Sequence, residues 1–247
     1  DHGAIQVAGS KGAAKWAANS WAPAACHKTI NGKEKFFLYF ADNGSGIGVL
    51  EADSPTGPWR DPIGKQIISR ETPGCSGSEI GWLFDPAVLV DDDGTGYLYF
   101  GGIGNTAGKP DDFIKNPKCG RVVKLADDMV SLAGDPVTID APYMFEDSGI
   151  NKIGDKYYYS YCTNWTNVSG RDETIPAANI AVMESDNPMT GFKFVGCVLK
   201  NPGTYFGASG NNHHCFAEFK GTWYAFYHTK KDTLALGTKA DYRTTYA

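Results

Sequence analysis

The sequence predicts an all-β chain, a five-bladed β-propeller of which four blades are visible together with the tail of a preceding one. Three observations carry this expectation. An aromatic strand recurs at a period of about 60 residues, starting at Phe36, Tyr97, Tyr157 and Trp223. Each of these strands follows a short polar turn, and each turn follows an apolar strand. No stretch keeps the apolar spacing of a helix over any length. A sandwich would not hold so long and constant a period, whereas repeated four-stranded antiparallel units describe a propeller.

The first full unit opens at Ser20-Trp21-Ala22-Pro23, turns at Asn31-Gly32-Lys33 and returns through Phe36-Phe37-Leu38-Tyr39-Phe40. Ile47–Ala52 reads as its third strand and Gly57-Pro58-Trp59-Arg60 as the start of its fourth. The second unit runs from Leu83-Phe84-Asp85-Pro86-Ala87 through Asp91-Asp92-Asp93-Gly94 to Tyr97-Leu98-Tyr99-Phe100, then Val122–Leu125. Asp-Gly between two β-forming runs is a strong hairpin signal. The acidic triplet lacks the later ligands of an EF-hand loop, so it reads as a turn.

In the third unit, Gly154-Asp155-Lys156 leads into Tyr157-Tyr158-Tyr159-Ser160-Tyr161, followed by Asn179–Glu184 and Thr190–Phe194. The fourth places Lys220-Gly221-Thr222 before Trp223-Tyr224-Ala225-Phe226-Tyr227. Tyr242-Arg243-Thr244-Thr245-Tyr246 has the look of a third strand with no fourth after it. Residues 1–13 resemble the closing strand of a unit. Residues 1–247 are therefore expected to form a single propeller domain, truncated at the N-terminus and at the C-terminus.

Composition narrows the partners. Hydrophobic residues make up 42 % of the 247, enough for a real core. The net charge of −5 argues against nucleic acid, and no apolar run approaches the roughly 20 residues that cross a bilayer. Cys26, Cys75, Cys119, Cys162, Cys197 and Cys215 are dispersed without a C-x-x-C pair, which argues against zinc. Cys162 and Cys215 are expected as small buried hydrophobes rather than disulfide partners. The first residues carry neither Met nor a signal pattern, so localisation is left open.

The first strand of each blade lines the central channel of a propeller. Its leading position holds Trp21, Asp85, Glu146 and His213 in the four units. Two carboxylates converging on one cleft suit glycoside hydrolysis, one as acid and the other as base or nucleophile. Asp85 as a turn cap before Pro86, and Glu146 as a solvated strand-end charge, are the plain alternatives.

Trp21-Ala22-Pro23, Phe84-Asp85-Pro86-Ala87 with Asp91-Asp92-Asp93-Gly94, Glu146 ahead of the Tyr157 strand, and His213-His214 ahead of the Trp223 strand resemble glycoside hydrolase family 43. The match runs in order through essentially the whole chain. It implies a five-bladed propeller acting by inversion on arabinose- and xylose-containing polysaccharides. By position, Glu146 resembles the general acid, and Asp85 the residue that tunes and orients it. The family's general base belongs to a blade before residue 1, so no residue here is assigned to it, and a separate chain or segment is expected to supply that blade.

His213 resembles the family's channel histidine, which meets a calcium ion, often through water; a hydrogen-bonded core histidine is the alternative. No organic cofactor is implied. Strand alternation sends His213 and Cys215 to one side and His214 to the other. Arg243 corresponds to an arginine that reaches the sugar, or else is a surface strand arginine. Trp21 and Phe84 are expected to contact substrate, with Trp82, Trp165 and Phe206 as outer platforms. The expected activity is removal of terminal α-L-arabinofuranosyl or β-D-xylosyl units from arabinoxylan or its oligosaccharides. The alternative is a propeller that binds carbohydrate without cleaving it.

Overall fold

Tight turns and alternating strands build the molecule hairpin by hairpin, and the computed structural model describes residues 4–208, 210, 212–237 and 244–247. The first sheet is β1 (Trp21–Ile30), β2 (Lys33–Ala41) and β3 (Ile47–Ala52). The second is β4 (Ala87–Val90), β5 (Gly96–Phe100), β6 (Gly120–Lys124) and β7 (Val137–Ile139). The third comprises β8 (Met144–Ile153), β9 (Lys156–Thr163), β10 (Ile180–Ser185) and β11 (Lys193–Leu199). The fourth has β12 (His214–Phe219), β13 (Thr222–Thr229) and β14 (Thr244–Tyr246). Every pairing within these sheets is antiparallel, and strands follow one another in chain order, the meander of a propeller blade.

The polar turns close as their residues require. Asn31 and Gly32 both take positive φ, 51° and 73°, the pair of values a two-residue hairpin turn needs. Gly94 does likewise at 81° in the Asp-Gly turn. The leading strands then line up side by side: β1 packs against β4, β4 against β8 and β8 against β12.

Two expected strands come out differently. The fourth strand of the first blade shrinks to one bridge, Glu51 with Arg60, made by two backbone hydrogen bonds of 2.9 Å. Pro58 has no N–H to offer there, so the ladder does not extend. Residues 4–20 contribute no sheet strand. Ala8 makes a single parallel bridge to Ala14, and Val7 is buried in a small cluster with Ala14, Ala17, Leu38, Phe40 and Leu50. At the other end, Tyr242 and Arg243 lie outside the described residues.

One main core runs between the blades, and the aromatic strands β2, β5 and β9 fill it, whereas β13 leaves Trp223, Tyr224 and Phe226 exposed. Tyr39, Tyr99, Tyr159 and Tyr161 are all fully buried. A buried phenol needs a hydrogen-bond partner, and these find theirs beyond their own strand. Tyr39 donates to the Met129 carbonyl at 2.6 Å and Tyr99 to the Pro188 carbonyl at 2.6 Å, each in the blade that follows. Tyr159 and Tyr99 stack with ring centroids 5.9 Å apart.

Arg121 on β6 pins an irregular segment to this core. It is 4 % exposed, yet its guanidinium reaches the carbonyls of Gly74, Lys118, Gly120 and Glu79 at 2.7–3.2 Å. All six cysteines are free, Cys162 buried as expected; Cys215 instead is exposed on β12. Replacing Arg121 with Ala is expected to lower stability by about 3 kcal/mol, since four buried or half-buried carbonyls lose a charged donor. Urea unfolding followed by intrinsic fluorescence measures this, and a change within error would show that the carbonyls are re-satisfied without it.

Candidate active site

Each of three leading strands has a residue in the left-handed backbone region at or near its start. Ala22 has φ 42°, Asp85 φ 48° and Asp147 φ 68°. These are places where a side chain is turned off the regular alternation of a strand, at a cost of about 1–2 kcal/mol each for a residue with a Cβ. Pairing registers slip at the same points, between Trp21 and Ala24 on β1 and on both sides of Glu146 on β8. The result is a cavity of about 1330 Å³ lined by Trp21, Phe84, Asp85, Glu146, Trp165 and His213, among others.

At its floor, one imidazole meets three carboxylates. His213 Nε2 lies 3.4 Å from Glu146 Oε1 and 3.6 Å from Asp85 Oδ2, while its Nδ1 lies 3.4 Å from Asp147 Oδ1. Asp85, Glu146 and Asp147 are at most 5 % exposed. The Asp147 amide donates to Asp85 Oδ2 at 2.9 Å. The second oxygen of Asp147 accepts the His214 amide at 3.0 Å and faces His214 Nδ1. On its far side, His214 Nε2 meets Ser160 Oγ at 2.6 Å.

Burial drives the electrostatics. Desolvation pushes the Asp85 carboxyl up to about 7, with the neighbouring Glu146 and Asp147 charges adding to it and His213 opposing. Burial alone would lower His213, but Asp147, Glu146 and Asp85 outweigh it and raise the imidazole to about 10. Burial would raise Asp147 too, yet the charges of His214 and His213 and the hydrogen bonds from His214 hold it below its ordinary value.

The four positions singled out by the repeat thus converge on one cavity. Trp21 stands at its edge with 47 % of its surface free. Phe84 lines it from beneath, buried edge-on against Trp82 at 5.0 Å. Gly102 makes room for that ring, since a Cβ there would stand 2.2 Å from a Phe84 carbon. Trp82 and Trp165 reach the cavity, whereas Phe206 stacks on Tyr227 and Tyr246 outside its lining. Arg243 lies outside the described residues.

One expectation is corrected. His213 and His214 do not point to opposite sides; both reach the Asp147 carboxylate. His213 precedes β12, whose first residue is His214, so strand alternation does not apply between them. Asp147, His214 and Ser160 were not singled out by the repeat. Asp147 follows Glu146 directly, and in an unbroken strand it would face away from the cavity; only the bulge brings it in.

Asp85, Glu146 and His213 each offer one donor atom, all within 4.8 Å of one another, and so could hold a metal ion. Calcium takes six to eight oxygen ligands. The two carboxylates supply oxygens for part of that shell, with water for the rest, whereas the His213 ring offers nitrogen and would meet such an ion through water.

A propeller with buried carboxylates gathered at the end of its leading strands is a fold and site shared by a class of proteins acting on glycans. The family model of glycosyl hydrolases family 43 matches residues 2–246, and the chain belongs to that family. It is 55 % identical, over 99 % of its length, to an arabinoxylan arabinofuranohydrolase of Paenibacillus polymyxa, covering 39 % of that protein. A second arabinoxylan arabinofuranohydrolase, from Bacillus subtilis strain 168, is 53 % identical over 99 % of the chain, with 48 % of the relative covered. The crystal structure of a Bacillus subtilis arabinoxylan arabinofuranohydrolase in complex with cellotetraose superposes over the whole chain at a TM-score of 0.94, with 52 % identity and 51 % of that structure covered. The chain thus spans about half, or less, of the length of these relatives.

The raised groups give stability a definite slope with pH. His213 contributes stability that is complete below pH 6.5 and lost as pH rises through about 10. Asp85, also raised, adds stability below pH 3.8 that is lost as pH rises through about 7. Asp147, lowered, acts oppositely below pH 3.8, where its contribution falls away with its charge. The urea midpoint of the parent is therefore expected to decline between pH 6.5 and 10. In His213→Gln it should be lower but flatter over that range, and an unchanged slope would remove His213 as its cause.

Proposed function

We propose that the chain forms the catalytic propeller of an inverting glycoside hydrolase that removes α-L-arabinofuranosyl units from arabinoxylan or its oligosaccharides. The observation that carries this reading is the pair of buried carboxylates, Asp85 and Glu146, sharing one imidazole at the floor of an aromatic-edged cavity. That both relatives are arabinoxylan arabinofuranohydrolases favours arabinose over xylose as the released sugar.

In this reading Glu146 gives its proton to the glycosidic oxygen as the bond to the anomeric carbon breaks. A base carboxylate takes a proton from water, which attacks that carbon from the opposite face, so configuration inverts. Inversion calls for an acid–base separation of about 6.5–9.5 Å to admit the water. Asp85 is the tuning and orienting residue. Burial pushes its own carboxyl up to about 7, and its Oδ2 takes the amide of Asp147, the residue next to Glu146, which fixes the two side chains relative to one another. Trp21, exposed at the edge, offers an indole face to the C–H groups of a sugar.

The base is assigned to none of these residues. A further β-sheet, from another segment or chain, is the proposed source, seated at the open side of the cavity between β1 and β13. Trp21 on β1 and Phe226 on β13 line the cavity there and are 47 % and 38 % exposed, apolar surface that such a sheet would cover. A calcium ion, if bound, would sit beside His213 through water, leaving Glu146 free to carry its proton. Its charge would ease the burial of that much negative charge.

Replacing Glu146 with Ala in the complete protein is expected to cut arabinose release from arabinoxylan by about 10²–10⁴-fold. Aryl arabinofuranosides, whose leaving groups need no proton, should lose much less. Chromatography of released pentose alongside the aryl assay measures both. Equal activity of variant and parent on arabinoxylan would remove Glu146 as the acid, and binding of arabinoxylan with no release by the parent would instead support a carbohydrate-binding propeller.

A further inference from the structure

The residue after the proposed acid is as closely held as the acid itself. Asp147 sits at φ 68° inside the β8 bulge, a conformation that aspartate adopts only when its surroundings impose it. Four contacts impose it here. Its amide is bonded to Asp85, one carboxylate oxygen faces His213, and the other takes both the amide and the ring Nδ1 of His214. Through His214 the line continues to Ser160 on β9.

Little of this line meets solvent. Asp147 is 4 % and Ser160 2 % exposed, and the His214 side chain is fully covered. Gly149 sits opposite Ser160 in the β8–β9 ladder. A Cβ there would stand 2.4 Å from Ser160 Oγ and 2.9 Å from His214 Nε2, so only glycine lets the imidazole reach the hydroxyl. The order serine, histidine, aspartate is that of a hydrolytic triad. Here the serine is roofed by Gly149 and has no room for a substrate carbonyl, so the three groups can hold but not attack.

What they hold is the geometry of both pocket carboxylates. Asp147 grips Asp85 through its amide and shares His213 with Glu146, so a shift of the bulge moves both at once. We infer that Asp147, His214 and Ser160 form a positioning brace, spanning three strands of two blades, that aims Glu146 and Asp85 at the leaving oxygen. This rests on the reading of Glu146 as general acid.

The test compares Ser160→Ala, Asp147→Asn and the double variant with the parent, all in the complete protein. A misplacement of the acid by a fraction of an ångström to one ångström costs on the order of 10–100-fold. On arabinoxylan oligosaccharides, kcat is therefore expected to fall about 10-fold for Ser160→Ala and about 100-fold for Asp147→Asn, with KM within about threefold. On a nitrophenyl arabinofuranoside both losses should shrink, because proton donation matters little there. The double variant should be hardly worse than Asp147→Asn, as expected for groups acting as one unit.

Proton NMR reports the brace without substrate: a far-downfield, slowly exchanging His214 ring N–H, displaced in Ser160→Ala, is expected. Equal losses on both substrates, additive effects, or no such resonance would each overturn the brace. A parent that releases no arabinose overturns the hydrolase reading, and the inference with it, while an active parent with losses that ignore the leaving group overturns the brace alone. Ser160→Ala, which removes one hydroxyl from a packed site, serves if Asp147→Asn does not fold.

Discussion

Three carboxylates buried around one imidazole are the constraint on which the site depends. Each costs several kcal/mol to bring out of water unless a partner compensates. His213 touches all three, and the amide and ring of His214 both bond the most deeply tied of them, Asp147. The backbone departs from regular strand geometry so that this can happen. Adjacent Glu146 and Asp147 both reach the same ring only because β8 bulges between them.

Such a bulge needs a rigid frame, and the frame is aromatic. The first three blades each contribute a strand of tyrosine and phenylalanine whose buried rings fill the space between them. Their hydroxyl groups satisfy main-chain carbonyls that would otherwise be buried unpaired. Arg121 does similar work for an irregular segment that could not form a strand. The wedge of Gly102 beneath Phe84 and of Gly149 beside Ser160 shows how closely the layers meet: at both places a methyl group would collide.

Much of this was legible in the chain. The polar turns and aromatic strands announced the hairpins because turn chemistry and alternation are local signals, and Asp93-Gly94 behaved accordingly. The repeat also revealed which residue of each unit leads its first strand, so Trp21, Asp85, Glu146 and His213 could be grouped before any distance was known. Asp147 and His214 could not. Their roles arise from a register slip and from a residue lying just ahead of its strand, and neither has a composition or period of its own. The strand expected at Gly57–Arg60 failed for a readable reason, the missing N–H of Pro58, to which the pattern of apolar residues is blind.

The tyrosines that cross between blades have a consequence for how such rings diversify. The hydroxyl of Tyr39 is complete only with the Met129 carbonyl, and that of Tyr99 only with the Pro188 carbonyl. A blade is therefore not a free-standing module that can be exchanged between relatives at its loops. The heritable unit is the seam, half from one blade and half from the next, and a recombination that cuts through a seam strands a phenol in the core. Because the acceptors lie in the turns between the outer strands, Met129 between β6 and β7 and Pro188 between β10 and β11, a crossover in those turns cuts a seam as surely as one inside a strand.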